Sequence, residues 1–252
     1  MKNFKRMGVI NITPDSFSDA GESFDPQSIK DRLIYLTQFD LVDIGAESTN
    51  PRSSPLHWKD EWSRWEKALP YLKDLKIPVS ADTYHPETIF ELVKFWQDHR
   101  IKVPLIWNDV SGKFDESVKE FLKTGHEYVF CHSLVPHREL SGRHMDYSAS
   151  EIDLFEYFAP HHHPQVIFDP ALGFSKTYEQ NWNILENFNE LSRQLNSRWL
   201  LGFSRKSFLR KKYPGHDRDS LDRVHTDEVI RLFKNNPCEV WIRTHRPELF
   251  PI

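Results

Sequence analysis

The chain has 252 residues, 28% of them charged and 38% hydrophobic, with a formal net charge of −4. That length suits a single barrel-sized domain spanning 1–252. The negative balance argues against a general nucleic-acid binder, and no apolar run is long enough to span a membrane. The N-terminal MKNFKRMGVINITPD enters a strand-like run almost at once, so neither a signal peptide nor a preceding segment is expected. Only Cys131 and Cys238 are present, both inside apolar runs and without metal-type spacing. They read as buried thiols in a reducing cytoplasm.

The first element is Val9, Ile10 and Ile12, which end in a loop of unusual density: GVINITPDSFSDAG, Gly8 to Gly21. Asn11 closes the strand, and Thr13, Pro14, Asp15, Ser16, Phe17, Ser18 and Asp19 follow. A turn needs turn formers, not so many donors and acceptors around one aromatic, so the loop is expected to close over a small ligand as a polar, mobile lid. Further β-rich runs lie near 41–46, 77–82, 103–108, 127–132, 165–169, 198–203 and 238–244. Helical stripes fall between them. Trp58, Trp62, Trp65, Leu69 and Leu72 share one face, with Ser54 and Pro55 as N-cap and N1. Ile89, Leu92, Val93 and Trp96 follow Pro86, and Val118, Phe121 and Leu122 precede Gly125, a stop signal. Tyr178, Trp182, Leu185, Phe188 and Leu191 form another stripe, and Val229, Leu232 and Phe233 the last.

This alternation predicts an α/β fold, a (β/α)₈ TIM barrel. An open doubly wound sheet would carry a Gly-rich turn after its first strand, and none is present. Only RPELFPI follows the last strand, so the eighth outer helix should be missing. One side of the barrel is then expected to stay bare, or to be covered by the N-terminal arm or a second chain.

Barrel enzymes act at the C-terminal ends of their strands, and here every strand ends in polar residues. In order they are Asn11; Asp43, Glu47, Ser48 and Thr49; Asp82 and Thr83; Asn108 and Asp109; His132 and Ser133; Asp169 and the Gly173–Lys176 loop; Ser204 to Ser207; and Arg243 with His245. Burying such groups unpaired costs about 1–3 kcal/mol each, so eight together point to a ligand. Asp82, Asn108, Asp169 and Lys206 suit a flat heterocycle, since a carboxylate accepts two parallel N–H bonds from an amidine-like edge. Asn11, Thr49, Arg243 and His245 suit an anion, and Asn11 also suits a hard cation such as Mg²⁺. Asp43 and Asp109 are candidates for orienting neighbours. Glu47 is either a general base or a partner for a loop N–H.

GVINITPDSFSDAG, DIGAEST, SADTY, IWNDVSG, IFDPALGFSKT, LLGFSRKSF and IRTH resemble, in order and interval, the motifs of the dihydropteroate synthase family. The resemblance implies condensation of 6-hydroxymethyl-7,8-dihydropterin pyrophosphate with p-aminobenzoate, giving 7,8-dihydropteroate and pyrophosphate with Mg²⁺ as cofactor. It implies a pterin pocket of Asp82, Asn108, Asp169, Phe174, Lys206 and Arg243. Asn11, Thr49, Arg52, Arg243 and His245 would hold pyrophosphate, with Asn11 on the metal. Thr13, Pro14, Phe17 and Ser207 would meet p-aminobenzoate. Asp15, Ser16 and Phe17 of the first loop, with Lys206 and Arg243, would carry the chemistry.

The sequence departs from the family pattern at four places. Asn50 replaces an arginine after Thr49, and Arg52 is expected to substitute. Ser133 replaces a methionine of the pterin wall, leaving it smaller and more polar. Ala171 and Ser175 replace glycines, and any positive φ there would cost about 1 kcal/mol or more. The charged segment DRDSLDRVHTDEV and the missing eighth helix replace the usual dimer surface, so a monomer or a non-standard dimer is expected. A non-catalytic pterin-binding paralogue, or a related pterin-dependent transferase or methyl-carrier module, stays open as the alternative. His161–His163, and Arg210, Lys211 and Lys212, read as solvated surface. The tryptophans read as core.

Overall fold

The structure is a computed structural model that describes residues 4–13, 26–47, 55–147, 153–233 and 235–250. The expectations for Pro14, Asp15, Ser16, Phe17, Ser48, Thr49, Asn50, Arg52 and Ser54 lie outside the described residues.

Among the described residues eight parallel strands close in sequence order into one barrel: β1 (Phe4–Asn11), β2 (Leu41–Gly45), β3 (Val79–Asp82), β4 (Leu105–Asp109), β5 (Glu127–Cys131), β6 (Val166–Asp169), β7 (Arg198–Leu201) and β8 (Val240–Thr244). The helices are α1 (Pro26–Leu36), α2 (Trp58–Leu72), α3 (Pro86–Asp98), α4 (Glu116–Lys123), α5 (Leu154–Phe158), α6 (Tyr178–Leu195), α7 (Ser207–Lys212) and α8 (Arg218–Phe233). Side chains alternate across a strand. One set of strand residues, including Ile44, Ala81, Trp107, Phe130, Phe168, Leu201 and Ile242, faces the helices in the main core. The other set, Met7, Leu41, Ile106, Val129, Ile167, Leu200 and Trp241, fills the barrel as an apolar plug.

Local chemistry sets the helix ends. Asp115 caps α4 by accepting from Val118 N at 3.3 Å, and Pro86 opens α3. Thr177 and Gln180 form a reciprocal capping box on α6. The helix expected to start with Ser54 and Pro55 instead starts at Trp58, where the His57 ring accepts from Lys59 N. Its buried face is Glu61, Trp65, Ala68 and Leu72, so Trp58 and Trp62 flank the stripe rather than lead it. Two helices absent from the sequence reading are α1, which buries Ile29, Leu33 and Leu36, and the short α5.

No regular eighth helix follows β8 among the described residues. The expected bare side is covered by the chain's own C-terminal 3₁₀ turn, Pro247–Leu249. Pro247 and Phe250 are buried there, and Tyr35 of α1 donates to Glu248 at 3.0 Å. A Cβ on Gly8 of β1 would meet Leu36 at 2.4 Å and Pro247 at 3.4 Å, which shows how closely α1 and this turn press on the strand. His161 also departs from its reading as solvated surface: its ring lies 4.4 Å from Phe114 and 4.8 Å from Phe130.

Gly112 follows β4 with φ +64°, and a Cβ there would lie 2.7–2.8 Å from backbone atoms of Cys131 and Ser133. Backbone atoms cannot yield as a side chain can. We expect Gly112→Ala to lose about 2–5 kcal/mol, from left-handed strain plus overpacking. Gly125, with φ +83° and nothing near its Cβ, should lose only about 1–2 kcal/mol as alanine. Urea unfolding of the two variants checks the difference.

Candidate active site

One step of two residues above the plug places a second layer at the C-terminal mouth. Leu41 leads to Asp43, Ile106 to Asn108, Val129 to Cys131, Ile167 to Asp169, Leu200 to Gly202 and Trp241 to Arg243. Asp82, Asn108, Cys131, Asp169, Gly202 and Arg243 line one slot, joined by Phe174 and Lys206 from the loops. The same parity turns Asp109 and Thr83 outward. Asp109 accepts from Ser111 N, Tyr128 and Arg138, and Thr83 donates to Glu61 at 2.8 Å.

Asp43 is the hub of the layer and is wholly buried. Its Oδ1 accepts from Ser80 at 2.6 Å and from Asn108 Nδ2 at 3.1 Å. Its Oδ2 accepts from Arg243 Nε at 2.6 Å, while Arg243 Nη2 donates to Asp82 Oδ2, also at 2.6 Å. Asp43 is therefore an orienting residue: it turns the amide of Asn108 and aims the guanidinium. Burial opposes the charge on Arg243, but the two carboxylates outweigh it and keep the guanidinium protonated. Burial pushes the Asp82 carboxyl up, and Arg243 is the main force against that rise. Among the described residues Asp82 Oδ1 is buried without a partner, an unsatisfied acceptor in the slot wall.

The β6–α6 loop supplies the far wall. Asp169 accepts from Ala171 N at 2.7 Å; burial raises its pKa, opposed by that N–H and by Lys206. Ala171 and Ser175 do take positive φ, 53° and 55°, so the two replaced glycines are strained positions, as the sequence suggested. Gly173 has φ +79°, and a Cβ on it would strike Lys206 Cδ at 2.9 Å. Its bare backbone lets the Lys206 side chain pass, so that Nζ lies 4.0 Å from the centre of the Phe174 ring. Burial, with Arg243, pulls the Lys206 pKa down to about 8.

Two neighbours, His144 and Cys131, were not placed at the site from the sequence, and a third, Lys176, was named only as part of its loop. Lys176 donates to the carbonyls of Ala171 at 3.2 Å and Phe174 at 3.1 Å, bracing the loop. Burial pulls its pKa to about 8. His144, in the 3₁₀ segment Arg138–Asp146, lies 4.2 Å from Phe174, ring to ring. Cys131 lines the slot; counting two residues from Val129 would have found it. Ser133, expected as pocket wall, does not line the slot, because the chain has left the strand by then. Its hydroxyl is buried without a partner among the described residues.

The anion side is partly in view. Asn11 ends β1 with its Oδ1 3.3 Å from the position a Gly45 Cβ would take, and Asp82 Oδ2 lies 3.6 Å from the same point. Nδ1 of His245 is 3.2 Å from Ser204 Oγ. Burial, helped by Arg205 and Arg243, lowers its pKa to about 3, so the ring is neutral. Ser207 is exposed at the first residue of α7, and Thr13 is buried. Glu47 accepts from Leu56 N at 2.9 Å and from Tyr84 at 2.7 Å. Of its two readings the loop partner holds: it ties the end of β2 to the start of α2.

The slot is nearly closed, with a cavity of about 30 Å³, room for roughly two or three waters. Arg243, held on Asp43 and Asp82, is one of its walls. A bicyclic ligand needs more room than this cavity has, so wall side chains must shift to admit it.

A parallel barrel with acidic, amide and basic side chains around one narrow slot at its C-terminal mouth defines a ligand-binding site of the barrel-enzyme type. The family profile described as pterin binding enzyme matches residues 7–232. The chain belongs to the pterin binding enzyme family. It is 31% identical over 221 residues to the dihydropteroate synthase of Synechocystis sp., covering 81% of this chain and 73% of that one. The dihydropteroate synthase of Clostridium difficile, solved in the presence of pteroic acid, superposes with a TM-score of 0.75 at 28% identity, over 97% of this chain and 91% of that one. That of Thermus thermophilus, in complex with 4-aminobenzoate, gives 0.72 at 26% identity, over 97% and 91%.

A lysine whose folded pKa is lowered opposes folding while it is charged. For Lys206 the penalty is full below pH about 8 and fades as the pH rises toward the ordinary 10.5. We expect Lys206→Met to gain on the order of 1–3 kcal/mol of stability at pH 7, a gain that shrinks above pH 8, and to weaken pterin binding at the same time. Unfolding midpoints at pH 7 and pH 10 check the sign.

Proposed function

We propose that the chain is a dihydropteroate synthase, joining the amine of p-aminobenzoate to the methylene carbon of 6-hydroxymethyl-7,8-dihydropterin pyrophosphate. The carbon–oxygen bond to the diphosphate breaks and its electron pair leaves with pyrophosphate. The carbon–nitrogen bond then forms, and the amine loses a proton. The observation that carries this reading is the inward layer of Asp82, Asn108, Asp169, Lys206 and Arg243 around one slot, together with dihydropteroate synthases among the relatives.

In this reading Asp169 and Asn108 accept from the amino-pyrimidinone edge. Lys206 donates to a ring acceptor, and Phe174 closes the face of the ring. Arg243 leaves Asp82 as the ring enters and then faces both pterin and diphosphate. As the carbon–oxygen bond breaks, the pterin becomes cationic. The fixed carboxylates of Asp82 and Asp169 are already oriented toward that charge, which is how a preorganised site lowers a barrier. Neutral His245 hydrogen-bonds a leaving phosphate oxygen, and Ser207 faces the carboxylate of p-aminobenzoate.

Mg²⁺ is part of the proposal. Among the described residues no group of three or more His, Cys, Asp or Glu is placed to hold a metal. The amide oxygen of Asn11 would hold the ion, together with phosphate oxygens and water. When bound, the ion neutralises charge on the leaving diphosphate. Free, buried Cys131 and Cys238 fit a reducing cytoplasm. Among the described residues no helix is long and apolar enough to cross a membrane. The exposed charges of α8, Arg223, Asp227 and Arg231, fit a monomer or a non-standard dimer.

Pyrophosphate release from the purified chain, with dihydropterin pyrophosphate and Mg²⁺, should depend on p-aminobenzoate and match pteroate formed. Tight pterin binding without acceptor-dependent release would leave only a binding protein. Asp169→Ala should weaken pterin binding by about a hundredfold or more, since it removes a paired acceptor from a buried site. Calorimetric titration with 6-hydroxymethylpterin reads that loss.

A further inference from the structure

A second cavity, of about 440 Å³, opens between α7 and α8, and Lys206 is one of its walls. Lys206 also lines the pterin slot, so the two spaces share a residue. The other charged walls are Arg205, Arg210 and Arg218, with a single carboxylate, Asp222. Arg205 takes that carboxylate, Nη2 to Oδ2 at 3.5 Å. Among the described residues no carboxylate pairs with Arg210 or Arg218. Leu221 is the one apolar wall.

A solvated basic patch keeps its charges in water and its buried polar atoms paired. Here Arg210, Arg218 and His216 are exposed to water, but buried polar atoms behind them are unpaired. His225 faces it at 2% exposure, and both ring nitrogens are buried without a partner among the described residues. Arg205 sits in the left-handed region, φ 62°, with its Nε buried and likewise unpartnered. Strain and unsatisfied donors in one place mark a site awaiting a ligand more often than a passive surface. Guanidinium forks match the oxygens of phosphate and carboxylate groups.

We propose that the cavity between α7 and α8 is a second anion site, adjoining the pterin slot through Lys206, that takes a multivalent oxyanion with two or more charges on a short frame. Arg210 and Arg218, without a carboxylate partner among the described residues, favour such a group over a single carboxylate, and a lining with Leu221 as its one apolar side chain disfavours a ring. The inference rests on the synthase reading only for the source of the anion. The leaving diphosphate is one source. An acceptor whose carboxylate is extended by an acidic amino acid is the other.

The test compares the full wild-type chain with the double variant Arg210→Ala/Arg218→Ala. Titration with inorganic pyrophosphate should show two sites per wild-type chain, and the double variant should lose about tenfold or more in affinity at one of them. If the acceptor is the source, the KM for p-aminobenzoylglutamate rises about tenfold while that for p-aminobenzoate stays put. Either pattern supports the site. Unchanged affinity and unchanged KM overturn it. Binding of 6-hydroxymethylpterin is measured on both proteins. Its absence in the wild type sinks the synthase reading, while pyrophosphate titration still judges the anion site. Should the double variant fail to fold, the single variants Arg210→Gln and Arg218→Gln give the same comparison.

Discussion

The mouth of the barrel is organised by one guanidinium. Arg243 on β8 reaches past β1 to Asp43 on β2 and Asp82 on β3, each at 2.6 Å. An ion pair this buried contributes little net stability, because desolvation of both partners cancels most of the attraction; breaking it from one side costs about 3–5 kcal/mol. Its effect is on geometry. Asp43 spends one oxygen on Arg243 and the other on Ser80 and Asn108. The direction of the Asn108 amide and the direction of the guanidinium are thus set by one carboxylate that itself cannot move. Arg243 and Asp82 are also walls of the slot. A ligand that offered N–H donors to Asp82 would compete with Arg243 there, and the guanidinium would still have Asp43 to hold it. Entry is then an exchange of partners, not the exposure of a buried charge.

Parity explains which strand-end residues share that layer. The sequence pattern marks a polar residue at the end of every strand, but a polar residue one position off faces the helices. Asp43 and Asp169 point in and Asp109 points out, although each ends an equally apolar run. The outward group has its own use. Asp109 holds Arg138, and Arg138 also reaches Asp115 at 3.0 Å, which fastens the β5–α5 connection over the β4–α4 turn. Glu61 does the same behind β3, accepting from Thr83 and Thr88. Burial raises its pKa to about 7, against the pull of those hydroxyls and of His85.

The barrel itself was legible because period-two runs separated by period-3.6 stripes leave few topologies open. The slot was legible because carboxylates and a lysine at strand ends have no structural reason to cluster. What escaped had physical causes. The stripe Ile29, Leu33 and Leu36 of α1 is short and carries little net hydrophobicity, so it does not stand out from the loop before it. Glu61 interrupts the apolar face of α2, and its partners are more than twenty residues away in sequence. His144 reaches Phe174 from a 3₁₀ segment with no periodic signal. The cover over β1 comes from Pro247 and Phe250, a turn too brief to read as an element. Thr49, Arg52 and the first loop from Pro14 onward lie outside the described residues.

Charge distribution ties the pieces together. The slot is walled by the carboxylates of Asp82 and Asp169 and by the cations Lys206 and Arg243, and arginine charges act on His245 beside it. Arg205, Arg243, Arg218 and Arg32 help hold His245 neutral, beyond what burial alone does, and burial with Arg243 drags Lys206 toward neutrality. An arriving dianion reverses both effects, because each of its charges favours the protonated form of a nearby base. Linkage then requires that anion binding take up protons near pH 8, where Lys206 is partly neutral, and that affinity fall as the pH rises above it. At pH 7 Lys206 already carries its charge against the penalty of burial, and a bound anion would offset that penalty.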